Sequence, residues 1–188
     1  LPTAWGQVNA GARWESVRVQ SLGNAQLPRF DDGIGSKHFT PFSAAAGAAF
    51  NLSPTWRLTG NAALTERAPK DYELFANGPH LATHAWELGN SGLGLEKSKS
   101  LDLGLDWKAG PHRMTVTAFA SQFANYIGLM GTGEFKNKEG QTVLQSDVGA
   151  LPVQNYQGVP ASFRGLEVNG RQRLWQGTST LDLDWRAD

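Results

Sequence analysis

The feature that most constrains this chain is a period-two alternation of apolar and polar side chains that recurs along most of its length. From Trp56 to Arg67 the even positions are Trp56, Leu58, Gly60, Ala62 and Leu64, while the odd ones include Arg57, Thr59, Asn61, Thr65 and Arg67. Successive side chains of a strand point to opposite faces, so this segment predicts a strand with one apolar and one wettable face. Phe42 to Leu52, Leu101 to Trp107 and Thr180 to Arg186 repeat the pattern, and Trp5 to Val19 and Phe163 to Leu174 follow it more loosely. Arg113 to Ile127 starts with Met114, Val116 and Ala118 on one face, then shifts its apolar weight to Phe119, Phe123 and Ile127, which predicts a bulge or partial burial on the lumen side. Seven strands are predicted in all.

The connections carry as much information as the strands. Short ones at Ser53–Thr55, Ala109–His112 and Gln176–Gly177 alternate with long ones at about 20–39, 67–95 and 130–156. An up-and-down membrane barrel has tight turns at its periplasmic end and long loops outside, whereas Greek-key sandwiches seldom sort loop lengths by end. Phe50, Trp56, Trp107 and Trp175 lie beside short turns, with Trp5 opening the first strand at the same level. Rings at strand ends predict an aromatic belt at one membrane boundary. Trp14 and Trp185 stand further along their strands, where a second belt would fall. The expected fold is therefore all-β: an antiparallel up-and-down transmembrane β-barrel segment. Because single-chain bacterial barrels generally have an even strand number, seven strands predict part of a larger barrel, with residues 1–188 all within the barrel domain.

Composition agrees. Seventeen basic and seventeen acidic residues cancel, so no basic field points to nucleic acid. With no cysteine, thiolate metal sites, disulfides and cysteine catalysis are excluded. No apolar run approaches the roughly 20 residues of a membrane helix, and the start has no signal-peptide pattern. Twenty-two glycines, seven tryptophans and nine phenylalanines sit in an otherwise polar chain, as expected when only one face of each strand meets lipid.

The second long connection holds the most specific sequence: Arg67-Ala68-Pro69, Glu73-Leu74-Phe75, Gly78-Pro79-His80-Leu81-Ala82-Thr83, Trp86-Glu87-Leu88-Gly89-Asn90 and Leu95-Glu96-Lys97-Ser98. In this order the series resembles the barrel of TonB-dependent outer-membrane receptors. Phe123-Ala124-Asn125-Tyr126-Ile127 and Gly165-Leu166-Glu167 resemble two further stretches of the same family. The resemblance implies a 22-stranded barrel closed by an N-terminal plug domain that this sequence lacks. It implies an outer membrane of a Gram-negative bacterium, and TonB-energised uptake of a metal or metal chelate such as zinc, haem or a ferric siderophore. The zinc- and iron-acquisition subgroup looks nearest. The implied partners are the cargo, outer-membrane lipid and, through the plug, the TonB complex; no resident cofactor is implied.

His80, His84 and Glu87 form the candidate metal site, since imidazoles and a carboxylate suit zinc and spacings of four and three converge on a helical turn. Asp71 and Glu73 are nearby carboxylates that would complete the shell. The competing reading is structural, with His80 and Glu87 bonding inside the loop to hold its shape. Arg67, Glu66 and Glu96, at neighbouring strand tops, predict carboxylate–arginine pairing. Asp102, Asp106, Glu167, Arg171 and Arg173 are placed on the lumen wall, and Asp31, Asp32 and Asp147 are read as solvated loop charges. No nucleophile elbow, zinc-protease helix or phosphate loop occurs, so transport rather than catalysis is expected. A passive porin or adhesin barrel, and a soluble β-sandwich binding module, are the alternatives.

Overall fold

The structure, a computed structural model, describes residues 2–3, 5–23 and 35–188. The elements are β1 (Pro2–Thr3), β2 (Gly6–Trp14), β3 (Val17–Ser21), β4 (Gly35–Phe39), β5 (Phe42–Asn51), β6 (Trp56–Arg67) and the short helix α1 (Asp71–Phe75). They continue with β7 (Asn77–His80), β8 (Ala85–Leu88), β9 (Glu96–Ala109), β10 (His112–Lys136), β11 (Thr142–Val143), β12 (Leu151–Gln176) and β13 (Thr180–Ala187). Seven staves, β2-β5-β6-β9-β10-β12-β13, pair antiparallel in chain order, which is the up-and-down topology expected.

Residues directly opposite share a face, so the register extends the alternation across the whole sheet. One row runs Val8, Ala48, Gly60, Leu103, Ala118 and Leu166; the next runs Gly6, Phe50, Leu58, Leu105, Val116, Val168 and Ala187. The other face carries Asn9, Gly47, Asn61, Asp102, Phe119 and Gly165 in one row, and Arg57, Asp106, Thr115, Asn169 and Arg186 in another. Among the described residues nothing packs on the apolar face: Leu101 and Leu103 are each 50% exposed. A soluble sandwich would bury that face; a lipid-facing wall leaves it to hydrocarbon.

The aromatic belt lies beside the turns. Trp5 stacks on Phe50 at 5.4 Å between centroids, and Trp56 meets Trp107 at 6.4 Å. Trp185 shares a row with Trp107, Met114 and Gly170, while Trp14 pairs with Phe42 at the loop end of its stave. On the polar face the expected charges pair across strands. Arg171 holds Asp184 through two bonds of 2.6 and 2.7 Å, Arg173 holds Asp182 at 2.8 and 3.1 Å, and Thr115 donates to Asp106 at 2.8 Å. Glu167 meets Arg186 at 3.3 Å.

The long connections are more ordered than their composition predicts. Residues 130–136 and 151–156 are strand, so the third connection shrinks to 137–150, and β10 and β12 reach 25 and 26 residues. At about 3.3 Å per residue each is roughly 80 Å long, whereas about 9–11 residues cross the hydrocarbon. Beyond the membrane neither face meets lipid, so pairing persists there without alternation to announce it. Phe119 and Phe123 stay on the polar face in unbroken register, so the apolar weight moves to the lumen side there, and a bulge follows only at the register shift between Phe123 and Tyr126. Part of the first connection is likewise a ribbon, β3 paired with β4; Asp31 and Asp32 lie outside the described residues.

Candidate functional site

Residues 68–95, linking β6 to β9, fold into α1 and the β7–β8 hairpin and build the main buried core of the described residues. Pro69 precedes α1, and Glu73 accepts the backbone N–H of Lys70 at 2.7 Å, so its carboxylate caps the helix start. Leu74 and Leu93 pack with Ile127 of β10, with Val19, Phe39, Phe75 and Tyr156 around them. Gly89 lies so close to the end of α1 that a Cβ there would sit 2.4 Å from the Phe75 nitrogen. Only glycine permits that approach.

Two devices fasten this loop to the wall. At the rim, Arg67 donates to both oxygens of Glu96 at 3.0 and 2.9 Å and to Glu73 at 2.8 Å. Glu96 also accepts the Ile127 N–H at 2.8 Å, and the Asn125 side chain donates to the Leu95 carbonyl while accepting the Lys97 N–H. The predicted Arg67–Glu96 pairing is thus present. Glu66 is not part of it: on the opposite face it meets Lys97 at 2.7 Å and accepts the Phe42 N–H at 3.0 Å.

At the far side, β8 runs parallel to β12 with Val153 opposite Trp86, Gln154 opposite Glu87 and Asn155 opposite Leu88. Gln154 also pairs with Gly131 of β10, so β8 occupies the other edge of β12, and the loop crosses β10 to reach it. Trp86 is 2% exposed; its indole N–H donates to Asn77 at 3.1 Å and its ring lies under Gly140 and Lys136. Gly140 has φ +84 and a Cβ there would sit 2.9 Å from the ring, so backbone conformation and space both require glycine.

The predicted trio is only partly assembled. His80 and Glu87 meet across the hairpin, Nδ1 to Oε1 at 2.7 Å. Since a carboxylate only accepts, Nδ1 is the donor in this bond. Glu87 further accepts from Thr83 at 2.8 Å and from the Tyr156 hydroxyl at 3.1 Å. Burial alone would push the Glu87 carboxyl up; the hydrogen bonds from Thr83, His80 and Tyr156 outweigh it and hold the group below the usual carboxylate range. His84 does not join them. Residues 81–84 make a hairpin turn rather than a helical one, with His84 at φ 49. Among the described residues no three His, Asp or Glu side chains are gathered to hold a metal. Glu73 is taken up by Arg67 and the helix cap, Asp71 is exposed on α1, and Asp147 accepts the Leu144 N–H at 2.9 Å within the β11–β12 connection.

His80, Thr83 and Glu87 line a cavity of about 730 Å³ with Tyr72, Leu129 and Tyr156. The Tyr72 and Tyr156 rings meet at 5.8 Å. Trp86 and Tyr156 are absent from the sequence-derived site. Tyr156 comes from a strand 69 residues beyond Glu87, and no spacing rule links them.

Residues 2–188 match the family described as TonB dependent receptor-like, beta-barrel. Among solved structures, the chain superimposes on the copper transporter OprC with a TM-score of 0.63 and 18% identity, over 97% of this chain and 26% of that one. The Serratia marcescens hemophore receptor HasR gives 0.56 at 16% identity, over 89% and 29%. The siderophore receptor PirA from Pseudomonas aeruginosa gives 0.55 at 19% identity, over 81% and 29%. The chain therefore spans between a quarter and a third of the length of these solved proteins, and at such identities the likeness is one of fold.

Proposed function

The chain belongs to the TonB-dependent receptor family of the Gram-negative outer membrane, and from that premise we propose that it is barrel wall and extracellular loop of a receptor that takes up a metal or metal chelate. The observation that carries this reading is the ordered 68–95 loop with its cavity of about 730 Å³, where Tyr72, His80 and Tyr156 offer rings and an imidazole to a cargo. Capture there would be followed by a rearrangement of a plug domain driven by the TonB complex. Zinc, haem and ferric siderophores are the cargoes to be tried. The apolar face has outer-membrane lipid as its partner.

His80, His84 and Glu87 enter this reading as metal contacts. Glu87 would orient His80 through Nδ1, and a carboxylate behind an imidazole is the usual partner of a metal-ligating histidine. His84, on the same hairpin, would complete the contact by a change in the turn.

Cells lacking the receptor gene should lose uptake of one of these three cargoes. The gene should restore it only where TonB is present. Uptake that persists without TonB would replace this reading with a passive barrel. Added zinc should slow hydrogen exchange over residues 77–88 in the whole receptor and not in its His84→Ala variant; identical exchange in the two removes the metal role from the hairpin.

A further inference from the structure

Glu87 uses its two oxygens unequally. Oε1 serves the hairpin itself, accepting His80 Nδ1 at 2.7 Å and the Thr83 hydroxyl at 2.8 Å. Oε2 accepts the Tyr156 hydroxyl at 3.1 Å, and among the described residues that is the one bond reaching the Glu87 side chain from outside the hairpin. The Glu87 side chain is 9% exposed against 55% for His80. Water is therefore poorly placed to stand in for the hydroxyl, while the imidazole lies open at the cavity wall.

Strand pairing brings Tyr156 to this carboxylate. β8 lies parallel on β12 with Gln154 opposite Glu87, and Tyr156, two residues further on, shares that face. Tyr156 is also opposite Leu129 of β10, and its ring meets Tyr72 of α1 at 5.8 Å and 55°. The hydroxyl is thus fixed by β12 and α1, whereas His80 and Thr83 travel with the hairpin that carries Glu87. The terminal torsion of a glutamate is broad, so a carboxylate anchored at one oxygen is loosely aimed. Anchored at both it has one orientation, which it passes to the imidazole in front of it.

On the reading of His80 as a metal contact, we propose that Tyr156 is a positioning residue. Acting through Glu87, it fixes the His80 ring against the cavity wall, so that the ring faces the cargo only while the hairpin is seated on β12. The hydroxyl touches no metal itself.

Tyr156→Phe in the full-length receptor removes the hydroxyl and keeps the ring beside Tyr72. Diethyl pyrocarbonate, used without metal, modifies imidazole nitrogens; held at Nδ1, His80 offers it Nε2 at most, and released it offers both. Followed by peptide mass spectrometry, His80 should react faster in Tyr156→Phe than in the parent and approach the rate in Glu87→Gln. An unchanged rate would overturn the proposal. Hydrogen exchange over residues 137–150, which Trp86 ties to the hairpin, should match the parent. Faster exchange there would mean that the hydroxyl supports the fold instead of aiming the ring, and would overturn the proposal as well. Zinc affinity, measured by competition with a chromophoric chelator, should fall about tenfold or more, the usual loss when the group behind a metal-ligating histidine is altered. Equal affinity in parent and variant would rule out the positioning role. A parent that binds no zinc removes the metal reading alone, and the pyrocarbonate rates still decide whether Tyr156 aims His80.

Discussion

Glu87 is 7% exposed, yet three donors from three places in the chain converge on it: His80 across the hairpin, Thr83 in the turn and Tyr156 on β12. A buried carboxylate persists only with such compensation. Its depressed pKa has a definite linkage sign. The unfolded loop binds the proton more readily than the folded one, so this contribution is complete above the usual carboxylate range and is lost as pH falls through the lower, folded value. Hydrogen exchange over residues 77–88 should therefore quicken on acidification below the usual carboxylate range. In Glu87→Gln that acid step should vanish, and an unchanged step in the variant would assign it to another group. Arg67 works by the same logic at the rim, where bidentate pairing with Glu96 and a third bond to Glu73 leave no buried carboxylate uncompensated.

At the scale of elements, the β7–β8 hairpin has little to hold it as a sheet. It pairs with β12 through three residue pairs only. Its stability comes from Trp86, which is seated between Asn77, Lys136 and the glycine corner at Gly140 and so joins the hairpin to the tip of the β10–β12 ribbon. Trp86→Ala should cost the region about 3–5 kcal/mol, the usual range for deleting a buried aromatic ring. Because the ring is shared, protection in hydrogen exchange should fall together in residues 77–88 and 137–150 and stay unchanged in β5 and β6. Loss confined to the hairpin would show that the two loops are not coupled.

Over the whole molecule, the division into two faces decides where a charge is tolerated. Leu103 lies in the middle of the apolar face, between Gly60 and Ala118. Leu103→Arg should cost about 2–4 kcal/mol, as for an arginine near the bilayer midplane. Asp102→Asn, one residue away on the polar face, should stay within about 0.5 kcal/mol. Urea unfolding of the full-length receptor from phospholipid vesicles would read both, and similar costs for the two would contradict the assignment of faces.

The wall was legible in the sequence because lipid imposes alternation on every stave that crosses it. Trp56-to-Arg67 and Leu101-to-Trp107 could be assigned to faces residue by residue, and the seven staves and their short turns followed. The Arg67–Glu96 pair was legible for the same reason, since strand register puts neighbouring strand tops together. Outside the bilayer that constraint is lost. The sequence did not foretell that residues 130–136 and 151–156 continue as strand, nor that residues 81–84 turn as a hairpin and keep His84 from His80 and Glu87. Tyr156 joined Glu87, and Trp86 met Gly140, only when the chain folded back across β10. Period and register are local properties that side-chain chemistry specifies along the chain; contacts between segments dozens of residues apart depend on where each loop is carried, and that was decided by the tertiary structure.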